Sequence, residues 1–383
     1  MNERRLTFWE ATSVMVGAGV GAGIMAVPYL ADQTGVPTLL VLLAVAYAAN
    51  CLIHLMLAEV LFRTGRDLQV VELMGLYVFR GRFGPLLIWI VFSLLTVSFI
   101  ANLAAYVFGE AEIVTDLTGL APEAAVLAVY AVSAGVVFFG LKAVGIFERF
   151  GALALVGCVV AIAVGALGVP FELDLARSGG WRETLALYGM VMYAYYTFFS
   201  VPQVVRGLGS DHRGAVRAIV VGLAVNGALM AAVALVALGV PGIVTELAIE
   251  GIADAVGDWA GIVGSLFILA AFVTSYWSVS LALADIIRER TGMHRNLAWL
   301  LATLPSMVLV LVGIGSFLPW LRLAAGAVGI VIALITIPMY VNARRIGAVT
   351  SPDWALGRWG SPAMLALALL AMVLMALGSL LET

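Results

Sequence analysis

From about residue 8 to the last residues, long apolar runs alternate with short polar breaks. The runs lie at roughly 8–31, 36–62, 84–109, 122–141, 146–169, 184–206, 215–240, 259–287, 297–314, 320–341 and 361–380. Each is about long enough to cross a bilayer as a helix. The pattern predicts an all-α integral membrane protein of about 11 transmembrane helices, a single domain over 1–383. A short amphipathic helix is expected in the connection near 242–257.

Two runs carry an internal interruption. The first contains Gly17, Gly19, Gly21 and Gly23, with Pro28 following. Glycine weakens a helix, and proline lacks the amide proton and clashes with the preceding turn. Lipid cannot satisfy the freed backbone groups, so a broken helix must be buried in protein or line a polar cavity. Secondary transporters bind substrates and ions at such breaks; the competing reading is close helix packing through small residues. The spacing Gly17-x-Gly19-x-x-Ala22 superficially matches a dinucleotide fingerprint, but it has no strand before it. The sixth run reaches Val201–Pro202 after Tyr193, Thr197 and Phe198, echoing Val27–Pro28. Five runs separate the pair, so they point in opposite directions, as inverted repeats over about 8–169 and 184–341 require, with an extra helix at about 361–380.

Composition narrows the class. Hydrophobic residues make up 63% of the chain and charged ones 11%, and mean hydropathy is +1.10, which excludes a soluble domain. A net charge of −3 without a basic tract gives no reason to expect nucleic acid. Cys51 and Cys158 fall inside apolar runs and offer no disulfide or metal framework. The first run is too long for a cleavable signal. All of the 20 basic residues except Arg177, Arg182 and Arg322 fall on the side of the N-terminus. That bias predicts a cytoplasmic N-terminus and, with an odd number of spans, an outer C-terminus in the cell membrane. The outer segments are expected to be acidic, with Glu110, Glu112, Asp116 and Glu123, then Glu246, Glu250, Asp254 and Asp258. Lys142 is expected in a cytoplasmic loop.

The segment Gly19 to Tyr29 resembles the first span of amino acid permeases in the amino acid–polyamine–organocation superfamily, closest to the aromatic (tryptophan/tyrosine) permeases and the amino acid/auxin permeases. Leu57-Ala-Glu-Val-Leu-Phe-Arg-Thr-Gly65 resembles the end of their second span, and Ala271 to Asp285 their eighth. The resemblance implies a LeuT-like fold of five plus five inverted helices, with helices 1 and 6 unwound at the substrate. It also implies that Glu59 braces the unwound segments by accepting their free amides. A sodium site carried over by position would combine Thr274, Ser275 and the carbonyl of Ala271 with the carbonyls of Val16 and Gly19.

The chemistry of a zwitterion agrees with that expectation. A half-helix starting near Gly21, Ala22 and Gly23 aims amide protons and a positive dipole end at a carboxylate. The half-helix ending near Val16 to Gly19 offers carbonyls to an ammonium group or a cation. The opposed break at Tyr193, Ala194, Thr197 and Phe198 adds more. His54 stands five residues before Glu59, deeper in the membrane, as a proton relay or a neutral core histidine. Glu59 has the competing reading of an interfacial acid paired with Arg63. Asn50, Asn102 and Asn226 either contact substrate or bond across helices. Hydroxyls at Thr274 and Ser275 either hold Na⁺ or cap carbonyls in their own helix. No lysine lies in the fifth run, which favours Na⁺ over H⁺. The expected function is a symporter importing neutral amino acids, aromatic ones included, by alternating access with Na⁺ or H⁺. No other cofactor is expected, and the partners are substrate and bilayer. The alternatives are a non-transporting amino acid sensor and a divalent-metal transporter, the latter disfavoured because the first break carries no carboxylate. No nucleophile–base pair at depth suggests an enzyme.

Overall fold

The computed structural model describes residues 5–21, 23–242, 244, 248–314, 317–379 and 381, and among them the regular structure is helical throughout. The first helix, α1 (Phe8–Gly19), opens with a capping box. The Thr7 hydroxyl accepts from the Glu10 amide at 3.3 Å while the Glu10 carboxylate accepts from the Thr7 amide at 2.7 Å. It closes where the Val20 amide returns to the Val16 carbonyl. After a 57° bend the chain resumes as α2 (Gly23–Thr34), with Pro28 inside it. Next come α3 (Val36–Thr64), the short α4 (Val70–Tyr77), α5 (Gly84–Thr118), α6 (Pro122–Phe138) and α7 (Leu141–Ala166). Gly65 and Gly119 end α3 and α5 in the left-handed conformation that glycine adopts without strain.

The second half begins with α8 (Trp181–Ala194), which stops, passes through a 3-10 turn at Phe198–Ser200 and resumes as α9 (Val201–Leu208). Pro202 sits in the first turn of α9, where its missing amide proton costs nothing. Then follow α10 (His212–Gly239), α11 (Ala248–Val256), α12 (Asp258–Thr291), α13 (Arg295–Leu311), α14 (Phe317–Ile346) and α15 (Pro362–Ser379). Among the described residues, 6 helices are long and apolar enough to cross a membrane, and the bent pair α1–α2 passes the same test as one span.

α1 packs between α7 and α10, α5 lies against α14 and α12, and α12 lies against α7. Small residues let these helices approach where lipid supplies no hydrophobic drive. Gly151 of α7 faces the methyl group of Thr274, Gly222 of α10 faces Met15, and Gly189 of α8 crosses Gly378 of α15 backbone to backbone. The outward stripe of α7 (Phe147, Phe150, Leu153, Val160, Val164) is exposed, as a lipid-facing surface should be.

Three expectations need correction. α4 lies in a connection that the apolar pattern left without structure, because eight residues are too few to register against a membrane-length window. α7 begins at Leu141, so Lys142 stands on its first turn and not in a loop, bound to Glu10 of α1 at 2.5 Å. Glu110 does not face the outside: α5 continues past it to Thr118, and the residue is fully buried against Ser133 of α6. The expected amphipathic helix near 242–257 corresponds to α11. Glu246 and the side chains of Glu250 and Arg322 lie outside the described residues.

Candidate functional site

The two interruptions meet. An added methyl on Gly23, the first residue of α2, would lie 3.1 Å from the Ala194 side chain and 3.2 Å from its backbone, so the start of α2 rests on the end of α8. A cavity of about 70 Å³ opens beside this junction. Its wall contains Gly19, Gly21 and Gly23 from the first break, Tyr193, Ala194, Thr197 and Phe198 from the second, and Asn102 from α5. Ala22 lies outside the described residues.

Sequence reasoning missed the rest of the wall. Phe99 and Tyr106 accompany Asn102 on one face of α5, and Tyr196, Phe199 and Ser200 complete the second break. The spacing 99, 102, 106 is one helix stripe and was legible as such. Phe99 meets Phe199 edge to face with ring centroids 4.7 Å apart, and Tyr196 stacks on Phe198 at 6.0 Å. Three buried polar atoms in this wall find no partner in the protein: Asn102 Oδ1, the Tyr196 hydroxyl and Thr197 Oγ1. Buried polar groups are normally hydrogen-bonded, so each such atom is free to meet water or a ligand in the cavity.

Side chains hold both breaks in place. The Ser275 hydroxyl of α12 donates to the carbonyl of Gly17 at 2.9 Å and lies 3.3 Å from that of Val20, groups that the ended helix leaves unpaired. Asn226 of α10 donates to the Met15 carbonyl at 3.1 Å. Asn50 donates to the Ala46 carbonyl and touches Met192, so Asn50 and Asn226 bond within and across helices while Asn102 faces the cavity.

The expected cation ligands are arranged differently from their sequence reading. The Val16 carbonyl is taken by the Val20 amide and that of Gly19 by the Gly21 amide. Thr274 turns its hydroxyl onto the Ala270 and Ala271 carbonyls of its own helix at 2.8 and 3.2 Å. Of the two expected hydroxyls, only that of Ser275 reaches the first break, and it does so at Gly17 and Val20.

His54 and Glu59 hold different parts of the molecule. His54 is fully buried; its Nε2 accepts from the Thr197 amide at 3.1 Å and its Nδ1 lies 2.7 Å from the Asn50 carbonyl. A backbone N–H can only donate, so Nε2 carries no proton and Nδ1–H donates to Asn50. His54 is thus a neutral strut under the second break. Glu59, roughly 140° further round α3 at 3.6 residues per turn, touches neither break. It accepts from Arg63 at 2.7 Å, from the Tyr340 hydroxyl at 3.0 Å and from the Leu356 amide at 2.9 Å. The implied bracing of the unwound segments by Glu59 is not what this geometry shows, because that face of α3 is turned to α14 and the connection after it.

His54→Ala should destabilise the protein by about 1–3 kcal/mol, since the Thr197 amide is then left unpaired in the interior. Thermal unfolding in detergent reads this directly. A melting temperature equal to the parent's would show that the strut is dispensable.

Comparison with known proteins places these features. The sequence profile of the tryptophan/tyrosine permease family matches residues 4–379. Among curated proteins no match is found. Among solved structures, the chain resembles Mhp1, a nucleobase-cation-symport-1 family transporter in a closed conformation with bromovinylhydantoin bound. The TM-score is 0.66 at 14% identity over 99% of this chain and 91% of that one, a likeness of fold. With helices of membrane-crossing length, two helix breaks that meet and a family profile over nearly the whole chain, this multi-pass membrane protein is a transporter of the tryptophan/tyrosine permease family.

Proposed function

We propose that the protein is a symporter that imports neutral, aromatic amino acids by alternating access, coupled to Na⁺ or H⁺. The observation that carries this reading is the cavity at the junction of the two breaks, walled by aromatic rings and by three unpartnered polar atoms. Rings favour an aromatic side chain. The first-turn amides of α2 suit its carboxylate. At about 10–15 Å³ per water the space holds roughly five waters, less than an aromatic amino acid needs. Tyr196, Phe198 and Phe199 therefore swing aside on binding, the kind of local opening that alternating access uses.

Eleven spans in two inverted repeats, about 8–169 and 184–341, belong to the same proposal. Reciprocal packing supports the repeats: α5 rests on α14 as its counterpart α12 rests on α7, and α1 rests on α10 as α8 rests on α3. With the basic residues inside, the N-terminus is cytoplasmic and the C-terminus outside. Na⁺, if it is the coupling ion, would sit by Ser275 and the carbonyls of Gly17 and Val20, hard neutral oxygens suited to it.

The test is uptake of labelled tryptophan into proteoliposomes, under a Na⁺ gradient alone and then a proton gradient alone. Accumulation under either supports symport; binding without accumulation under both would mean a sensor. Asn102 Oδ1 is placed to accept from an indole N–H or a phenol O–H. Asn102→Leu should therefore shrink the preference for tryptophan over phenylalanine by about tenfold. An unchanged ratio would remove Asn102 from substrate contact.

A further inference from the structure

One buried group is used by none of the bracing contacts around the cavity. Glu148 stands two turns into α7 and is fully buried. The Ser278 hydroxyl of α12 donates to its Oε1 at 2.7 Å, and its Oε2 has no partner. On the other side the carboxyl group rests against the bare Cα of Gly17: a methyl group there would fall on top of it. Gly17 is also the residue whose carbonyl holds Ser275, and Ser278 lies 3.5 Å from the Val14 carbonyl. Three helices, α1, α7 and α12, therefore close on one carboxyl group just before the first break.

No basic side chain compensates it. Among the described residues no ion pair includes Glu148, and the charged or titratable groups on neighbouring elements hold other partners or are exposed. Glu10 of α1 holds Lys142, the other cation on this side of α7. Asp285 of α12 holds Arg206 of α9 and Arg288, and Glu289 accepts from the Gln69 amide. Tyr276 of α12 reaches Ser306, and Tyr130 of α6 reaches Thr303. On α10, His212 stacks on Phe62, and Arg213 and Arg217 lie on the first two turns of that helix. Arg149, the next residue of α7, is exposed. An ionised carboxylate with a single hydrogen-bond donor in the membrane interior is strongly disfavoured, so the packed state requires the neutral acid.

We infer that Glu148 is a proton-binding site whose occupancy is linked to the seating of α1 on α7 and α12. The carboxylate takes one proton from water as the helices close and returns it to water as α1 lifts. By linkage, the proton favours the seated arrangement as much as seating favours the proton. Within the transport reading, on which this use of the site rests, Glu148 couples a proton to the movement of the first half-helix.

Infrared pH titration of the purified full-length protein tests the site without transport. The C=O stretch of a protonated carboxyl group should persist far above pH of about 4.3, where exposed glutamates ionise, and Glu148→Gln should lack it, so that it stands out in the wild-type-minus-variant spectrum. Glu110→Gln controls for the second fully buried carboxyl that has no ion pair among the described residues. An unchanged spectrum in Glu148→Gln, or a band erased by Na⁺ at fixed pH, overturns the assignment. In proteoliposomes, Glu148→Gln should keep tryptophan counterflow while losing accumulation driven by a proton gradient at least tenfold. Glu148→Asp should keep accumulation with a displaced pH profile. Undiminished proton-driven accumulation in Glu148→Gln overturns the coupling role. Absence of counterflow in the wild-type protein sinks the transport reading instead and leaves the infrared result to decide the site.

Discussion

Glu59→Ala should lower the melting temperature of the detergent-solubilised protein by roughly 5 °C. Glu59 is 1% exposed and pairs with Arg63, whose side chain is itself only 10% exposed. Removing one partner of a buried pair leaves an uncompensated charge and typically costs about 3–5 kcal/mol, which in a chain of this size corresponds to a shift of that order. The same truncation frees the Leu356 amide and the Tyr340 hydroxyl, and with them the connection between α14 and α15. Arg63 would keep its bond to the Thr350 carbonyl at 2.9 Å, so the connection loosens without detaching. Glu59→Gln preserves an acceptor for Leu356 and should fall between alanine and the parent. A variant as stable as the parent would reduce the carboxylate to an interfacial acid with no structural role.

The largest effect on transport is expected from Gly23→Val and Gly21→Val, each lowering uptake at least a hundredfold while the protein still folds. At Gly23 the new side chain meets the Ala194 backbone, which can move only if the second break moves with it. At Gly21 it meets Ser275 Oγ and the Tyr106 hydroxyl, both at 3.0 Å, and would push Ser275 off the carbonyls that it holds. Overpacking of this kind costs about 1–3 kcal/mol, too little to unfold the helices but enough to misplace backbone groups that must approach a ligand closely. Gly157→Val is the matched control. That glycine of α7 has nothing within 4 Å of an added methyl group, and its variant should transport like the parent. Near-parental uptake in the Gly21 and Gly23 variants would remove the break from the substrate path.

Much of this was open to inspection in the residues alone. Apolar runs of bilayer length can be satisfied only as helices, so their positions follow from local composition. Four glycines in Gly17 to Gly23 and the Val–Pro echo at Val201–Pro202 mark both breaks, because weak helix formers act locally. The cavity wall at Gly19, Gly21, Gly23, Tyr193, Ala194, Thr197 and Phe198 follows from those breaks. What the residues did not disclose is which partner each polar side chain finds. Glu59 and His54 are five positions apart on one helix, yet the first ties down Leu356 and the second Thr197. Glu148 sits beside Arg149 in the chain, and only the crossing of α1, α7 and α12 turns it inward while Arg149 stays exposed. Thr274 and Ser275 are neighbours, and a 100° step around α12 sends one hydroxyl back to its own helix and the other to the break. Helix formation is decided by forces acting within a few residues, which sequence exposes. The partners of a buried polar group are decided by helix rotation and crossing, set by packing summed over the whole bundle, and that sum exists only in three dimensions.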